Sequence, residues 1–121
     1  DFMYCDSGMI PWLLILRHLA KTGRGLGETL ADRIAAVPVS GEQNFRIEDP
    51  AAAIARVEAA YAPKAEARDE SDGISLLFEG PWRFNLRRSN TEALVRLNVE
   101  AAGDPEKVAQ EVAAIGALLS A

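Results

Sequence analysis

Two kinds of hydrophobic spacing divide this chain near Lys64. Before that residue, apolar positions recur every three or four residues, which is typical of helices with a buried face. After it they alternate one by one with polar positions, which is typical of strands that bury one side. The change predicts mainly helices at first, then a run of strands, and a last helix that begins at Asp104-Pro105.

The first predicted helix, over residues 10–21, carries apolar side chains on nearly every side. Ile10, Leu14 and Arg17 belong to one stripe of this helix. Trp12, Ile15 and Leu16 lie on the other side, so the helix has no broad polar face. Such a helix is normally covered on several faces. Burying one leucine-sized side chain stabilises by roughly 1.5 to 3 kcal/mol, so the exposed segment from Trp12 to Leu16 would favour self-association of the chain.

Three glycines within residues 22–27 predict a linker after this helix. We place a domain boundary there, so that residues 1–26 end one domain and residues 27–121 form the next. The chain opens at Asp1-Phe2 without a start methionine. We therefore expect a piece of a longer protein.

The second domain is predicted to run strand, helix, four strands, helix. Asp49-Pro50 offers an N-cap and a first-turn proline for its first helix, and Asp72-Gly73 is a strong hairpin signal. An antiparallel sheet of four or five strands with both helices on one face accounts for the alternation, and the predicted class is α+β. The apolar strand positions are Ile74, Leu76, Phe78, Trp82, Phe84, Leu86, Val95, Leu97 and Val99.

Composition and charge exclude several classes of function. The 121 residues are 49% hydrophobic and 26% charged, which fits a folded domain with an appended element. A net charge of −5 argues against general nucleic-acid binding. The longest apolar run, Met9 to Leu16, is shorter than the roughly 20 residues that a bilayer requires. Cys5 is the single cysteine and has no disulfide partner in the chain, so a cytoplasmic location is expected.

The segment best suited to chemistry lies between the strand that ends at Arg87 and the next one. It reads Arg88-Ser89-Asn90-Thr91-Glu92 and has many hydrogen-bond donors but no large apolar side chain. Guanidinium, hydroxyl, amide and backbone N–H groups together can surround a phosphate. Serine, asparagine and threonine are also what ordinary turns prefer, so residue types alone leave a plain hairpin as the alternative.

Residues 87–93, RRSNTEA, resemble the R-x-S-[GN]-T-E-P phosphate-binding loop of the α-D-phosphohexomutase family. Further stretches are similar to the bacterial phosphomannomutases of that family: Cys5 to Pro11, Ser40-Gly41-Glu42 with Asn44, Asp72-Gly73-Ile74, and Trp82 to Leu86. The resemblance implies a TBP-like C-terminal domain, preceded by a helix left over from the third domain. It also implies that the substrate phosphate is bound by Arg87, Ser89, Asn90 and Thr91, with Arg88 and Glu92 in support.

The same resemblance implies an activity for a complete parent enzyme. That enzyme would interconvert mannose 6-phosphate and mannose 1-phosphate through a phosphoserine and a hexose bisphosphate, which would also act as activator, with Mg²⁺ as cofactor. This chain lacks the catalytic serine and the D-G-D-x-D-R metal loop, so we expect no catalytic residue, no metal site and no activity in it alone. A phosphoglucomutase, a phosphoglucosamine mutase and a non-catalytic interaction module remain alternatives.

Two local features qualify the resemblance. Ala93 stands where the family usually has proline, which fixes φ and reduces the freedom of an unbound loop. We therefore expect a looser loop and slightly weaker phosphate binding. Asp69, Glu70 and Asp72 form an acidic group around the predicted hairpin, and we interpret them as a solvated turn.

Overall fold

The structure is a computed structural model that describes residues 7–121. The described residues form two compact units, which divide between residues 33 and 34. The predicted boundary between residues 26 and 27 concerns domain membership and stays a prediction. Cys5 and the beginning of the family-like stretch around it lie outside the described residues.

Two helices come first in the chain: α1 (Met9–Thr22) and α2 (Leu26–Ala36). Gly23 ends α1 in the left-handed conformation, at φ 67°, and its N–H donates to the carbonyl of Leu19 at 2.9 Å. No residue of α1 is buried. Its exposed apolar side chains are Met9, Ile10, Trp12, Leu13, Leu14, Ile15 and Leu16, as the sequence predicts. Within residues 7–121, no helix has the length and apolar character needed to cross a bilayer.

Five antiparallel strands form one sheet in the order β1-β5-β4-β3-β2. These strands are β1 (Gln43–Arg46), β2 (Ala67–Asp69), β3 (Ile74–Phe78), β4 (Trp82–Arg88) and β5 (Leu94–Ala101). β4 and β5 are paired from Trp82 opposite Ala101 to Arg88 opposite Val95. The predicted α+β class with an antiparallel sheet is confirmed, and the sheet has five strands.

Two helices cover the apolar face of this sheet: α3 (Pro50–Tyr61), followed by a short 3₁₀ helix (Ala62–Lys64), and α4 (Pro105–Ser120). Both begin as the sequence predicts. The side chain of Asp49 accepts the N–H of Ala52 at 3.0 Å, and that of Asp104 accepts the N–H of Lys107 at 2.8 Å. The buried core residues are Ala53, Val57, Leu76, Phe78, Trp82, Phe84, Leu86, Val95, Leu97, Val99, Ala101, Val108, Ile115 and Leu119.

An aromatic cluster forms part of that core, with Tyr61 packed against it. The ring of Tyr61 meets those of Phe78, Trp82 and Phe84 edge to face, with centroids 5.9, 6.2 and 5.4 Å away. Its hydroxyl donates to Glu111 at 2.7 Å, and burial together with this bond raises the pKa of Tyr61. The opposite face of the sheet carries the polar strand residues, because side chains alternate along each strand.

Candidate functional site

The turn between β4 and β5 is organised by the side chain of Ser89. Its Oγ accepts the N–H of Thr91 at 3.4 Å and the N–H of Glu92 at 3.3 Å. The N–H of Ser89 donates to the carbonyl of Leu94 at 2.9 Å, and the residue is only 8% exposed. Ser89 Oγ also lies 3.5 Å from Thr91 Oγ1, and either of these two hydroxyl groups could be the donor.

One surface cavity of about 440 Å³ brings most of the predicted site residues together. Its lining consists of Asp72, Gly73, Arg87, Arg88, Ser89, Asn90, Thr91 and Arg96. The four predicted phosphate-binding residues are all included, and so is Arg88. Glu92 is not part of the lining, and its contact with the turn is the backbone bond to Ser89. Which of these groups bind phosphate stays a prediction.

The Asp72-Gly73 hairpin also lines the cavity. Gly73 has φ 76°, and a Cβ there would lie 2.5 Å from the carbonyl oxygen of Leu86 and 2.7 Å from Cβ of Arg87. Glycine is the residue that permits this conformation and this close approach. The hairpin therefore does more than reverse the chain, because it lies directly against the backbone that carries Arg87.

Two carboxylates hold the guanidinium of Arg87. Its Nη2 donates to Glu42 Oε2 at 3.1 Å, and its Nη1 donates to Asp72 Oδ2 at 3.4 Å. Asp72 is highly exposed, as expected for a residue in a solvated turn. It also forms an ion pair with Arg87, which the sequence does not predict. A phosphate that approaches Arg87 from the cavity must therefore compete with the Asp72 carboxylate.

Two charged residues near the cavity are missing from the sequence prediction. Arg96 on β5 is directly opposite Arg87 on β4, so both side chains project from the polar face of the sheet. Glu42 lies 37% exposed beside this pair, with Oε1 3.7 Å from Nε of Arg96. The alternation of Arg96 with Val95 and Leu97 predicts that Arg96 lies on the polar face of the sheet. That Arg87 is its neighbour on β4 follows only from the strand register.

Metal ligands were not found at this site. Among residues 7–121, no three His, Cys, Asp or Glu side chains come together in a way that could hold a metal ion. Mg²⁺ is usually bound through carboxylates and water in octahedral geometry. The described residues do not fit a Mg²⁺ site.

Comparison with known proteins decides the family. The model described as "Phosphoglucomutase/phosphomannomutase, C-terminal domain" matches residues 42–118. The chain belongs to this family. The matched residues run from Glu42 through all five strands into α4, and they include every residue that lines the cavity. The predicted membership of the phosphohexomutase family is confirmed.

Curated relatives of this family member are much longer proteins. The phosphomannomutase of Salmonella montevideo is 61% identical over 104 residues, which cover 86% of this chain and 23% of that protein. The phosphomannomutase of Escherichia coli K12 is 55% identical, and a protein of Xanthomonas campestris pv. campestris strain B100 named "Phosphohexose mutases" is 53% identical, with the same coverage. The chain thus spans about a quarter of the length of these relatives.

Proposed function

We propose that this chain is the substrate-phosphate-binding C-terminal part of a phosphomannomutase. The observation that supports this most is the convergence of Arg87, Ser89, Asn90 and Thr91 on one cavity. The guanidinium supplies positive charge, while hydroxyl, amide and turn N–H groups supply directed donors to several phosphate oxygens. A volume of about 440 Å³ is in the range of small-molecule sites.

In the parent enzyme, this cavity would hold the phosphate of a hexose phosphate while the other end of the sugar reacts elsewhere. The parent would interconvert mannose 6-phosphate and mannose 1-phosphate through a phosphoserine and a hexose bisphosphate. Mannose is the proposed sugar because the Salmonella and Escherichia coli relatives are named phosphomannomutases. Mg²⁺ and the phosphoserine would belong to parts of the parent outside this chain, and a cytoplasmic location stays a prediction.

Replacing Arg87 by glutamine should weaken the binding of mannose 1-phosphate to this chain by at least about ten-fold. The reason is the loss of charge-assisted hydrogen bonds, each of which contributes about 1.5 to 3 kcal/mol. A two-dimensional amide NMR titration measures the change. In the unaltered chain, we expect shifts concentrated at residues 87–91.

Arg83→Gln is the matched control for this experiment. Arg83 lies on the same strand and the same sheet face, pairs with Glu100 at 3.0 Å, and is not part of the cavity lining. Its loss changes the net charge equally, so its effect on affinity should stay below about two-fold. Equal losses in the two variants, or no shifts at millimolar ligand in the unaltered chain, would contradict the proposed site.

We also propose that copies of this chain associate through α1. Its apolar side chains are exposed, and each leucine-sized side chain buried in a contact stabilises by roughly 1.5 to 3 kcal/mol. The all-round apolar surface fits a second copy of the same helix, since it offers no polar face that requires solvent. In the parent enzyme, the preceding domain would cover the same side chains.

Sedimentation velocity at increasing concentration tests this association. The unaltered chain should form dimers or larger species, and the double substitution Leu13→Lys with Leu16→Lys should return it to a monomer. Leu30→Lys on α2 is the control, since Leu30 is also an exposed leucine but lies outside α1. A monomeric unaltered chain at about 100 µM would refute the proposal.

A further inference from the structure

One carboxylate lines the cavity together with the predicted phosphate-binding residues. It belongs to Asp72, whose Oδ2 accepts a hydrogen bond from Nη1 of Arg87 at 3.4 Å. The guanidinium of Arg87 also donates to Glu42 Oε2 at 3.1 Å, but Glu42 is not part of the lining. Of the two carboxylates that hold Arg87, Asp72 is therefore the one that a ligand in the cavity meets.

The backbone of Asp72 is fixed, whereas its side chain is largely exposed. Nδ2 of Asn85 donates to the carbonyl oxygen of Asp72 at 2.7 Å and to Oγ of Ser75 at 3.0 Å, which ties the hairpin to β4. The side chain of Asp72 is 77% exposed, and among the described residues its carboxylate forms an ion pair with Arg87 alone. A change of side-chain rotamer can thus separate this carboxylate from Arg87 without moving the hairpin.

The ion pair between Asp72 and Arg87 is weak enough for phosphate to replace it. Its distance of 3.4 Å exceeds the roughly 2.7 to 2.9 Å of a good charge-assisted hydrogen bond. Ion pairs in contact with solvent also contribute little, because water and salt screen them. A phosphate monoester carries a charge of about −1.5 to −2 and three terminal oxygens, so it is the stronger partner for the guanidinium. Once bound, it repels the Asp72 carboxylate.

We propose that Asp72 lowers the affinity of this cavity for phosphate, because its carboxylate pairs with Arg87 in the empty site and is displaced when phosphate binds. This inference rests on the proposed function, since it concerns the same cavity. Asp72 acts through Arg87 and is not itself a phosphate ligand. In a parent enzyme that must release a sugar phosphate after each reaction, such a competing carboxylate favours release of the product.

Inorganic phosphate titrated into the unaltered chain, Asp72→Asn and Asp69→Asn tests this proposal. Asparagine before glycine is also a strong hairpin signal, so Asp72→Asn should retain the fold. It should bind phosphate about three- to ten-fold more tightly than the unaltered chain. Asp69→Asn is the matched control: it changes the net charge equally in the same hairpin, but Asp69 is not part of the cavity lining. Its affinity should change by less than about two-fold.

The direction of the effect separates this role from a merely structural one. Loss of a residue that only supports the fold of the site would weaken binding, so weaker binding by Asp72→Asn would overturn the inference. An equal gain in both variants would also overturn it, because net charge alone would then explain the result. The proposed function stands in both cases. If the unaltered chain binds no phosphate at millimolar concentration, the proposed function and this inference are both overturned.

A second measurement does not depend on the folding of a variant. The carboxyl carbon resonance of each aspartate in the unaltered chain reports on the contacts of that carboxylate. That of Asp72 should shift with phosphate and saturate at the same concentration as the amide shifts of residues 87–91, while that of Asp69 should stay in place. An unchanged Asp72 resonance at saturating phosphate would contradict the displacement of its carboxylate.

Discussion

Replacing Gly73 by alanine should lower the free energy of unfolding by about 2 to 5 kcal/mol and weaken phosphate binding with it. The left-handed conformation costs a residue with a side chain roughly 1 to 2 kcal/mol, and overpacking adds roughly 1 to 3 kcal/mol. The added methyl group would lie 2.5 Å from a backbone oxygen and 2.7 Å from Cβ of Arg87. The hairpin and the strand that carries Arg87 must therefore move apart. Urea unfolding followed by circular dichroism measures the loss.

Gly80→Ala is the control that separates the cost of the left-handed conformation from the cost of the close approach. Gly80 also has a positive φ, 81°, but no atom other than those of Gly80 and its two chain neighbours lies within 4 Å of the position where its Cβ would be. Its substitution should cost only the conformational part, about 1 to 2 kcal/mol, and leave phosphate binding unchanged. If both alanine variants lose the same stability and both bind phosphate normally, the close approach at Gly73 does not support the site.

Replacing Phe84 by alanine should destabilise the fold by about 3 to 5 kcal/mol, the range for truncating a buried aromatic side chain. Phe84 is 1% exposed, and its ring lies 5.4 Å from that of Tyr61 and 5.8 Å from that of Phe78. The helices that cover the sheet cannot fill the resulting cavity without moving. Denaturant unfolding measures this loss, with the slope checked for two-state behaviour.

Leu77→Ala provides the comparison for Phe84→Ala. Leu77 lies on the neighbouring strand β3 but is 40% exposed, so its truncation removes less buried surface than that of Phe84. We expect a change within about 0.5 kcal/mol. If Leu77→Ala lowers the free energy of unfolding as much as Phe84→Ala does, burial on the helix-covered face of the sheet does not determine the stability.

Much of the second unit follows from local sequence patterns. The alternation along residues 74–99 assigns the faces of three strands, and it does so because the sheet has one apolar and one polar side. Asp49 and Asp104 predict the start of the two covering helices. The aspartate side chain accepts a free N–H group of the first turn, and the proline that follows has no N–H group that would need a partner. These features depend on residues within a few positions of one another.

The full charge pattern of the candidate site does not follow from such local rules. Glu42 is 45 residues from Arg87 in sequence, and Arg96 is nine residues away across the β4–β5 turn. Both meet Arg87 because β1, β5 and β4 pair in a particular register. A shift by one residue would turn Arg96 to the other face. The turn-forming role of Ser89 is easier to predict from sequence. Serine at the start of a turn often accepts hydrogen bonds from the N–H groups of residues two or three positions further along the chain.

The edges of the sheet have a consequence for how copies of the chain can aggregate. β1 pairs over four residues and β2 over three, and the β2 edge carries the charged residues Arg68 and Asp69. Short, charged edges offer little unpaired backbone on which another chain could add a strand. Assemblies of this chain should therefore remain limited, reversible and helical in character, without the growth into fibrils that long, flat strand edges promote.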